Sequence, residues 1–314
     1  MSAFAQLKEE SQKTRETAGL GGMIGQSLVM QRLFGRLRQA APHLRVVTLE
    51  GEAGTGKALA AKTLHGLGPA SAGAFVACAA VRFLSGATQE VLEEARGGTL
   101  LLTRLVELTA EQQSRFLDFL EWWEQKTSRG AQGAFPRQIF VSSTRPLRQL
   151  SASGGLRADL CYRLTAIRFD LPPLRERRDD IPALAEWFAM QHGALQGKTI
   201  RGLGPGALAR LMPHEWPGNV RELEMVMANA ATECAGQWIR PIDIPALRHA
   251  TAQPALVTTQ PADDDPNLDR MILRHITAVL ASTRGNKLRA AQLLGISRST
   301  LYRLLESDIP SETR

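Results

Sequence analysis

The sequence lacks the marks of a membrane, secreted or metal-stabilised protein. No apolar run approaches the ~20 residues that span a bilayer, and residues 1–18 are polar, without the apolar core of a signal peptide. The three cysteines are odd in number and far apart, which excludes a disulfide framework and indicates a reducing compartment. The six histidines show no metal-ligand spacing with them, so we expect no metal site.

Size and charge suggest more than one domain and a nucleic-acid partner. The chain has 314 residues, 44% of them apolar, enough for two or more folded domains. Residues 267–314 contain eight Arg or Lys and four Asp or Glu, so they carry +4 of a net charge of +7. A basic terminal module favours nucleic acid, although a merely soluble basic helix would give the same count.

The order of apolar and polar residues indicates an α/β region followed by helices. Residues 20–150 alternate apolar runs with helical patterns, which predicts a parallel sheet flanked by helices. One helix contains Leu117, Leu120 and Trp123 at helical spacing. Only helical patterns follow to about residue 247, then a proline-rich stretch typical of a linker, and then further helical patterns.

A glycine loop between an apolar run and a helical pattern predicts a phosphate site. Its sequence GEAGTGK matches G-x-x-x-x-G-K. The backbone amides of such a loop wrap a phosphate, and the helix N-terminus and the lysine add positive charge. The expected nucleotide contacts are Gly51, Glu52, Ala53, Gly54, Thr55, Gly56, Lys57 and Ala58. Ala58 replaces the usual magnesium-binding Ser or Thr, and a glycine turn without a ligand is the alternative.

The run GGTLLLTRL lacks the acids of an ATPase. Such a strand usually ends in Asp-Glu, which hold magnesium and orient the attacking water, but here it ends in Thr103-Arg104. A guanidinium repels a metal and, with a pKa above ~12, cannot act as a base. Loss of a general base alone costs ~10²–10⁴ in rate. We therefore expect little ATP turnover and do not expect Mg²⁺.

Five stretches together resemble one family. GEAGTGK, GGTLLL, LRADLCYRLTAIRFDLPPLRERRDDIPALAEWF, WPGNVRELE and GNKLRAAQLLGISRSTLYRLL are similar in order and spacing to the AAA+ activators of sigma-54 RNA polymerase, the bacterial enhancer-binding proteins. The resemblance runs from Gly21 to Glu306. It implies an α/β AAA+ parallel sheet with flanking helices, a helical lid subdomain, and a separate all-α, Fis-like helix-turn-helix domain. The implied boundaries are 1–20 (extension), 21–172 (α/β), 173–247 (lid), 248–266 (linker) and 267–314 (helix-turn-helix).

The resemblance also assigns roles to single residues. Arg221 matches the second sensor arginine of the nucleotide site, and ATP or ADP is the implied ligand. Arg157 and Arg163 match the arginine fingers that reach a neighbour's nucleotide, although salt bridges are the alternative. Thr144 stands where the family has a sensor asparagine. Residues 81–96 are about half the family's spacing and lack the loop that touches sigma-54.

The C-terminal helices predict DNA binding. The resemblance to the Fis-like domain points to a set of polar side chains suited to bases and phosphates. These are Asn286, Lys287, Ser297, Arg298, Ser299, Thr300, Tyr302 and Arg303. We expect a dimer or higher oligomer on a roughly palindromic double-stranded site; a small dimerisation bundle is the alternative.

Three functions compete. The leading one is a cytoplasmic, nucleoid-associated transcription regulator of a bacterium that keeps an AAA+ scaffold without competent catalysis. The second is an active sigma-54-dependent ATPase. The third is a modulator that co-assembles with a full-length relative. RNA polymerase is a further expected partner. We expect no interaction with a membrane.

Overall fold

The computed structural model describes residues 19–128 and 133–247, together with Lys287. The chain divides into two compact units, Met1–Thr251 and Ala252–Arg314. The division falls inside the stretch predicted as a linker. The first unit contains both the α/β region and the helical region predicted to follow it.

Strands and helices alternate through most of the first unit. The described strands are β1 (Gly19–Leu20), β2 (Met23–Ile24), β3 (Val46–Glu50), β4 (Phe75–Ala79), β5 (Thr99–Thr103), β6 (Gln138–Ser143), β7 (Arg168–Asp170), β8 (Gly202–Leu203) and β9 (Trp238–Ile239). The described α-helices are α1 (Leu28–Ala40), α2 (Lys57–Leu67), α3 (Ala80–Leu84), α4 (Thr88–Glu94), α5 (Ala110–Ser128), α6 (Leu147–Ala152), α7 (Ala158–Leu164), α8 (Ile181–Leu195), α9 (Ala207–Leu211) and α10 (Asn219–Glu233). In the described ranges, no helix has both the length and the apolar character to cross a membrane.

The central sheet is parallel and has the order β4-β5-β6-β3-β7. The cores of β3, β5 and β6 are apolar runs buried on both faces, as expected where helices cover both sides of a parallel sheet. The predicted α/β fold is thus confirmed. Because parallel strands end at one edge, the glycine loop after β3 and the ends of β5 and β6 meet there.

Helix α5 shows how far periodicity alone predicts burial. Leu120 and Trp123 are fully buried, as their spacing predicts, and the indole of Trp123 donates to the carbonyl of Pro136 at 2.8 Å. Leu117, however, is only partly buried, and Phe116 takes the inner position. Residues 116, 120 and 123 follow the i, i+4, i+7 spacing of one helical face, whereas residue 117 is turned away by about 100° from residue 116.

The region after β7 was predicted to be purely helical, but it also contains two short strands. Helices α8 and α10 pack against each other through an apolar cluster that includes Trp216. Beside them β8 and β9 form a two-stranded parallel pair, with Gly202 opposite Trp238 and Leu203 opposite Ile239. Strands of two residues show no periodicity, and their pairing joins distant parts of the chain, so sequence patterns did not reveal them.

Asp180 ties the start of this helical region to the start of α1. Its carboxylate is fully buried. It accepts hydrogen bonds from the backbone N–H groups of Gln26 (2.6 Å) and Ser27 (2.7 Å) and from the Ser27 hydroxyl (2.9 Å). Gln26 and Ser27 immediately precede α1, so Asp180 fixes the chain where it enters this helix from a position about 150 residues away.

Asp180→Ala should lower the free energy of unfolding of the first unit by about 3 kcal/mol, because three donors lose a charged acceptor in a buried site. Denaturant unfolding followed by circular dichroism measures this loss. Asp179→Ala, at an exposed neighbouring position, is the matched control and should change stability by less than about 0.5 kcal/mol. Equal losses in the two variants would contradict the role given to Asp180.

Candidate functional site

The glycine loop adopts a backbone that requires glycine. Gly51, Gly54 and Gly56 have φ angles of 144°, 79° and 103°, in the range that residues with a Cβ rarely enter. A Cβ on Gly51 would lie 2.6 Å from the carbonyl oxygen of Leu171, and one on Gly54 would lie 2.1 Å from that of Gly218. The loop therefore packs tightly on two later segments and leads directly into the N-terminus of α2, an end that favours anions.

Lys57 begins α2 and is held inside the loop. Its ammonium group donates to the carbonyl oxygens of Gly51 (2.6 Å) and Glu52 (2.7 Å). Burial, and to a lesser extent the nearby charge of Arg221, lower the pKa of Lys57 to about 8, with Glu52 partly opposing both. The amine is thus a half-buried group whose protonated form an added negative charge would stabilise.

A cavity of about 660 Å³ lies over this loop. Four segments form it: the β1–β2 hairpin, the glycine loop, the ends of β5 and β6, and the helical region that follows β7. Among the predicted site residues, the cavity is lined by Ala53, Gly54, Gly56, Lys57, Ala58, Thr103, Arg104, Thr144 and Arg221. Gly51, Glu52 and Thr55 belong to the loop but do not line the cavity.

The helical region clamps the loop through Asn219. This fully buried residue has a φ of 54°. Its side-chain amide donates to the carboxylate of Glu52 (3.1 Å) and to the carbonyl of Ala53 (3.0 Å), and accepts from the backbone N–H of Leu174 (2.7 Å). Glu52 also pairs with Arg175 at 2.6 Å, and the hydrogen bonds of Arg175 and burial act in opposite directions on the pKa of Glu52, with a net lowering.

Several cavity residues were missed by sequence reasoning. They are Met23, Ile24, Leu184, Trp187, Phe188, Val220 and Arg177. Arg177 is 3% exposed and donates to the carbonyl of Thr55 (2.9 Å) and to the sulfur of Met30 (3.2 Å). Burial lowers the pKa of Arg177, and Asp180 opposes this. Nothing in the run LRERR distinguishes the buried arginine from its neighbours, so no sequence signal could have found it.

The end of β5 presents Thr103 and Arg104 to the cavity. The Thr103 hydroxyl donates to the carbonyl of Cys78 at 3.4 Å. Arg104 has a left-handed backbone, with φ of 61°, and its Nε donates to Glu107 at 2.7 Å. Thr144, after β6, is exposed at the cavity wall.

These residues do not fit a magnesium ion. Mg²⁺ prefers hard oxygen ligands, yet Ala58 has no hydroxyl and Arg104 brings positive charge. The carboxylates that line the cavity are Glu107 and Glu224, and each faces a basic partner: Arg104 in one case, and in the other His192 at 3.7 Å. Within the described ranges, no group of three or more His, Cys, Asp or Glu side chains is placed to hold a metal ion.

The two finger candidates lie outside the cavity lining. Arg157 makes a bidentate ion pair with Asp159 (2.7 and 3.1 Å). This pair lowers the pKa of Asp159 to about 2. Arg163 pairs with Glu121 (3.1 Å) and Glu124 (3.4 Å). Both arginines are engaged within the chain, so contact with another subunit stays a prediction.

The predicted DNA-binding residues Asn286, Ser297, Arg298, Ser299, Thr300, Tyr302 and Arg303 lie outside the described residues. Lys287 is helical and exposed. Their contribution to DNA binding therefore stays a prediction.

Comparison with known proteins gives three family matches in order along the chain. Residues 24–174 match the Sigma-54 interaction domain, residues 175–260 the AAA+ ATPase lid domain, and residues 273–306 the Fis family of bacterial regulatory proteins. The lid match begins where β7 has ended and extends into the predicted linker.

Curated relatives match over nearly the whole chain. The transcriptional regulatory protein ZraR of Klebsiella oxytoca is 32% identical over 93% of this chain and 70% of its own length. The DNA-binding transcriptional regulator NtrC of Azospirillum brasilense is 33% identical over 89% of this chain and 68% of its own.

Solved structures give the same fold. NtrX from Brucella abortus in complex with ADP has a TM-score of 0.61 at 27% identity, over 97% of this chain and 73% of that one. The same protein in complex with ATP has a TM-score of 0.60. From the relatives, the three domain matches and the parallel sheet with its lid, it follows that this chain belongs to the bacterial enhancer-binding proteins, the DNA-binding, sigma-54-dependent transcription regulators with an AAA+ domain.

Proposed function

We propose that this protein is a sequence-specific transcription regulator whose AAA+ region binds ATP or ADP as a structural ligand and does not hydrolyse it. The observation that carries this proposal is the shared cavity: the glycine loop with Lys57 forms one wall, and Thr103 and Arg104 stand at another, where an ATPase needs acids. On this proposal the protein is not a conventional sigma-54 activator.

The site residues fit a nucleotide. The amides of the glycine loop, Lys57 and Arg221 would hold the phosphates, and the apolar side chains of Met23, Leu184 and Phe188 offer a surface for a base. A bound nucleotide would supply negative charge between the loop and the helical region that clamps it. The crystallised complexes of NtrX from Brucella abortus with ADP and ATP support this ligand class.

Neither of two nearby carboxylates is placed to replace the missing base. Glu107 lines the cavity but is bonded to Arg104 at 2.7 Å. Glu50 precedes the loop but is buried; it accepts from the backbone N–H of Leu147 (2.8 Å) and lies 3.7 Å from Arg168. Burial raises the pKa of Glu50, but a general base must reach the attacking water, and Glu50 does not line the cavity.

The segment between β4 and β5 is short and consists mainly of two helices. Helices α3 and α4 fill it, separated by residues 85–87, and Phe83, Val91 and Leu92 are buried in the core. The family's sigma-54-contacting loop would have to be carried here. Its absence supports a regulator that acts on transcription by another route, through RNA polymerase or through a full-length relative.

Assembly is the second part of the proposal. Arg157 and Arg163 lie outside the cavity of their own chain, which supports a role at a neighbour's nucleotide in a dimer or larger oligomer. The same observation favours a second candidate function, a modulator that joins the ring of a full-length relative. A cytoplasmic, nucleoid-associated location on a palindromic site follows from the DNA-binding proposal.

Phosphate release from ATP should be at least ~100-fold slower than for an ordinary AAA+ ATPase, because the base and the metal ligands are missing. Steady-state release is measured at high protein concentration with Mg²⁺ present. Lys57→Ala serves as the control for contaminating activity. Ordinary turnover that Lys57→Ala abolishes would show that the second function, an active ATPase, is correct instead.

ATP affinity should fall as the pH rises through about 8, where Lys57 of the free protein loses its proton. The charged amine attracts phosphate and the neutral amine does not, so above this pH the Kd should rise by up to about tenfold per pH unit. Calorimetric titrations at several pH values measure the trend. Lys57→Arg stays charged throughout and should lose the dependence; an equal trend in both proteins would exclude Lys57 as its source.

Deletion of residues 262–314 should abolish selective DNA binding in a mobility-shift assay and leave the first unit folded.

In the full chain, Arg298→Ala should weaken the free energy of DNA binding by about 1–3 kcal/mol and relax the preference at one base pair. Arg303→Ala, if it contacts phosphate alone, should weaken all sequences alike. Affinity should fall steeply with salt. Selection of the same genomic fragments by the truncated protein would contradict this assignment.

A further inference from the structure

We propose that the cavity binds ATP free of magnesium, with the guanidinium group of Arg104 as the counter-charge that a metal ion supplies in ordinary ATPases. The inference rests on the nucleotide-binding function proposed above and goes further, since it names the ionic form of the ligand and the residue that selects it.

The charges of the cavity favour a bare polyphosphate. Four cationic side chains line it: Lys57, Arg104, Arg177 and Arg221. The two lining carboxylates already face basic partners. An excess of fixed positive charge attracts the full charge of a metal-free triphosphate and repels a divalent cation. A bound Mg²⁺ would lower the negative charge of the triphosphate and so weaken its attraction to these cationic side chains.

The position of Arg104 suits this role. It directly follows β5, whose last residue Thr103 is paired with Ala79 at the carboxyl edge of the sheet, the edge that also carries the glycine loop. Its left-handed backbone costs a residue with a Cβ about 1 kcal/mol or more. Such strain persists where the surrounding structure fixes it and concentrates at functional sites. The strand end therefore holds Arg104 at the cavity wall.

The guanidinium group of Arg104 is available to an anion. Its side chain is 65% exposed, and its bond to Glu107 uses Nε. Exposed ion pairs contribute about 0–1 kcal/mol, whereas the planar fork of an arginine matches a phosphate with two parallel hydrogen bonds. A triphosphate can thus engage the terminal nitrogens of Arg104 while Glu107 keeps Nε.

The test is a calorimetric titration of the full-length protein with ATP and with ADP, in EDTA and in excess Mg²⁺. Wild-type protein should bind ATP in EDTA at least as tightly as in Mg²⁺. Arg104→Gln should weaken ATP binding in EDTA by roughly 10- to 100-fold and ADP binding by less, since ADP carries less charge.

Two further variants separate this role from general damage to the fold. Arg115→Gln breaks a comparable exposed ion pair, with Glu111 at 2.7 Å, away from the cavity and should leave ATP binding unchanged. Glu107→Gln keeps an acceptor for Nε but removes the negative charge beside Arg104, so it should tighten ATP binding in EDTA. A loss of affinity in Glu107→Gln, or equal losses in Arg104→Gln and Arg115→Gln, would overturn the role of Arg104.

The metal dependence is the decisive comparison. ATP binding that appears only with Mg²⁺ would overturn this inference and leave the proposed nucleotide-binding function intact. No binding of either nucleotide in either buffer would overturn both. The double change Thr103→Asp and Arg104→Glu restores the acids and should reverse the preference, so that ATP binds more tightly with Mg²⁺ than in EDTA.

Discussion

The hydrogen bonds of Asn219 are the contact on which the site depends. One buried amide joins the glycine loop at Glu52 and Ala53 to the backbone of Leu174 in the connection to the helical region. A buried polar group of this kind is costly unless every bond is made. The positive φ of Asn219 and the contact between Gly54 and Gly218 follow from this close approach.

Closure of the cavity sets its electrostatics. Because the helical region covers the glycine loop, Lys57 is desolvated and its pKa falls to about 8, and Arg177 is buried against Thr55. Cations placed in this way are stabilised by an anionic ligand. A nucleotide would therefore bind the loop and the helical region together, and the free energy of binding would stabilise the closed arrangement.

Sequence reasoning succeeded where a feature is local. The glycines of the loop, the apolar strands and the Thr103-Arg104 end of β5 all follow from short stretches whose sterics or chemistry act within a few residues. It was less accurate for α5, where the helical spacing included Leu117, which is only partly buried, and left out Phe116, which is fully buried. It missed β8 and β9, since neither is long enough to show a period.

The sequence by itself determined the glycine loop, the α/β class and the Thr103-Arg104 end of β5, because each depends on local backbone sterics or on which side chains are present. Only the tertiary structure decided which arginine of LRERR lines the cavity, which residues form its apolar wall, and that Arg104 and Lys57 share it. Asp180 and Ser27, or Arg177 and Thr55, lie more than a hundred residues apart. Such contacts exist only after the core has packed, so no local pattern encodes them.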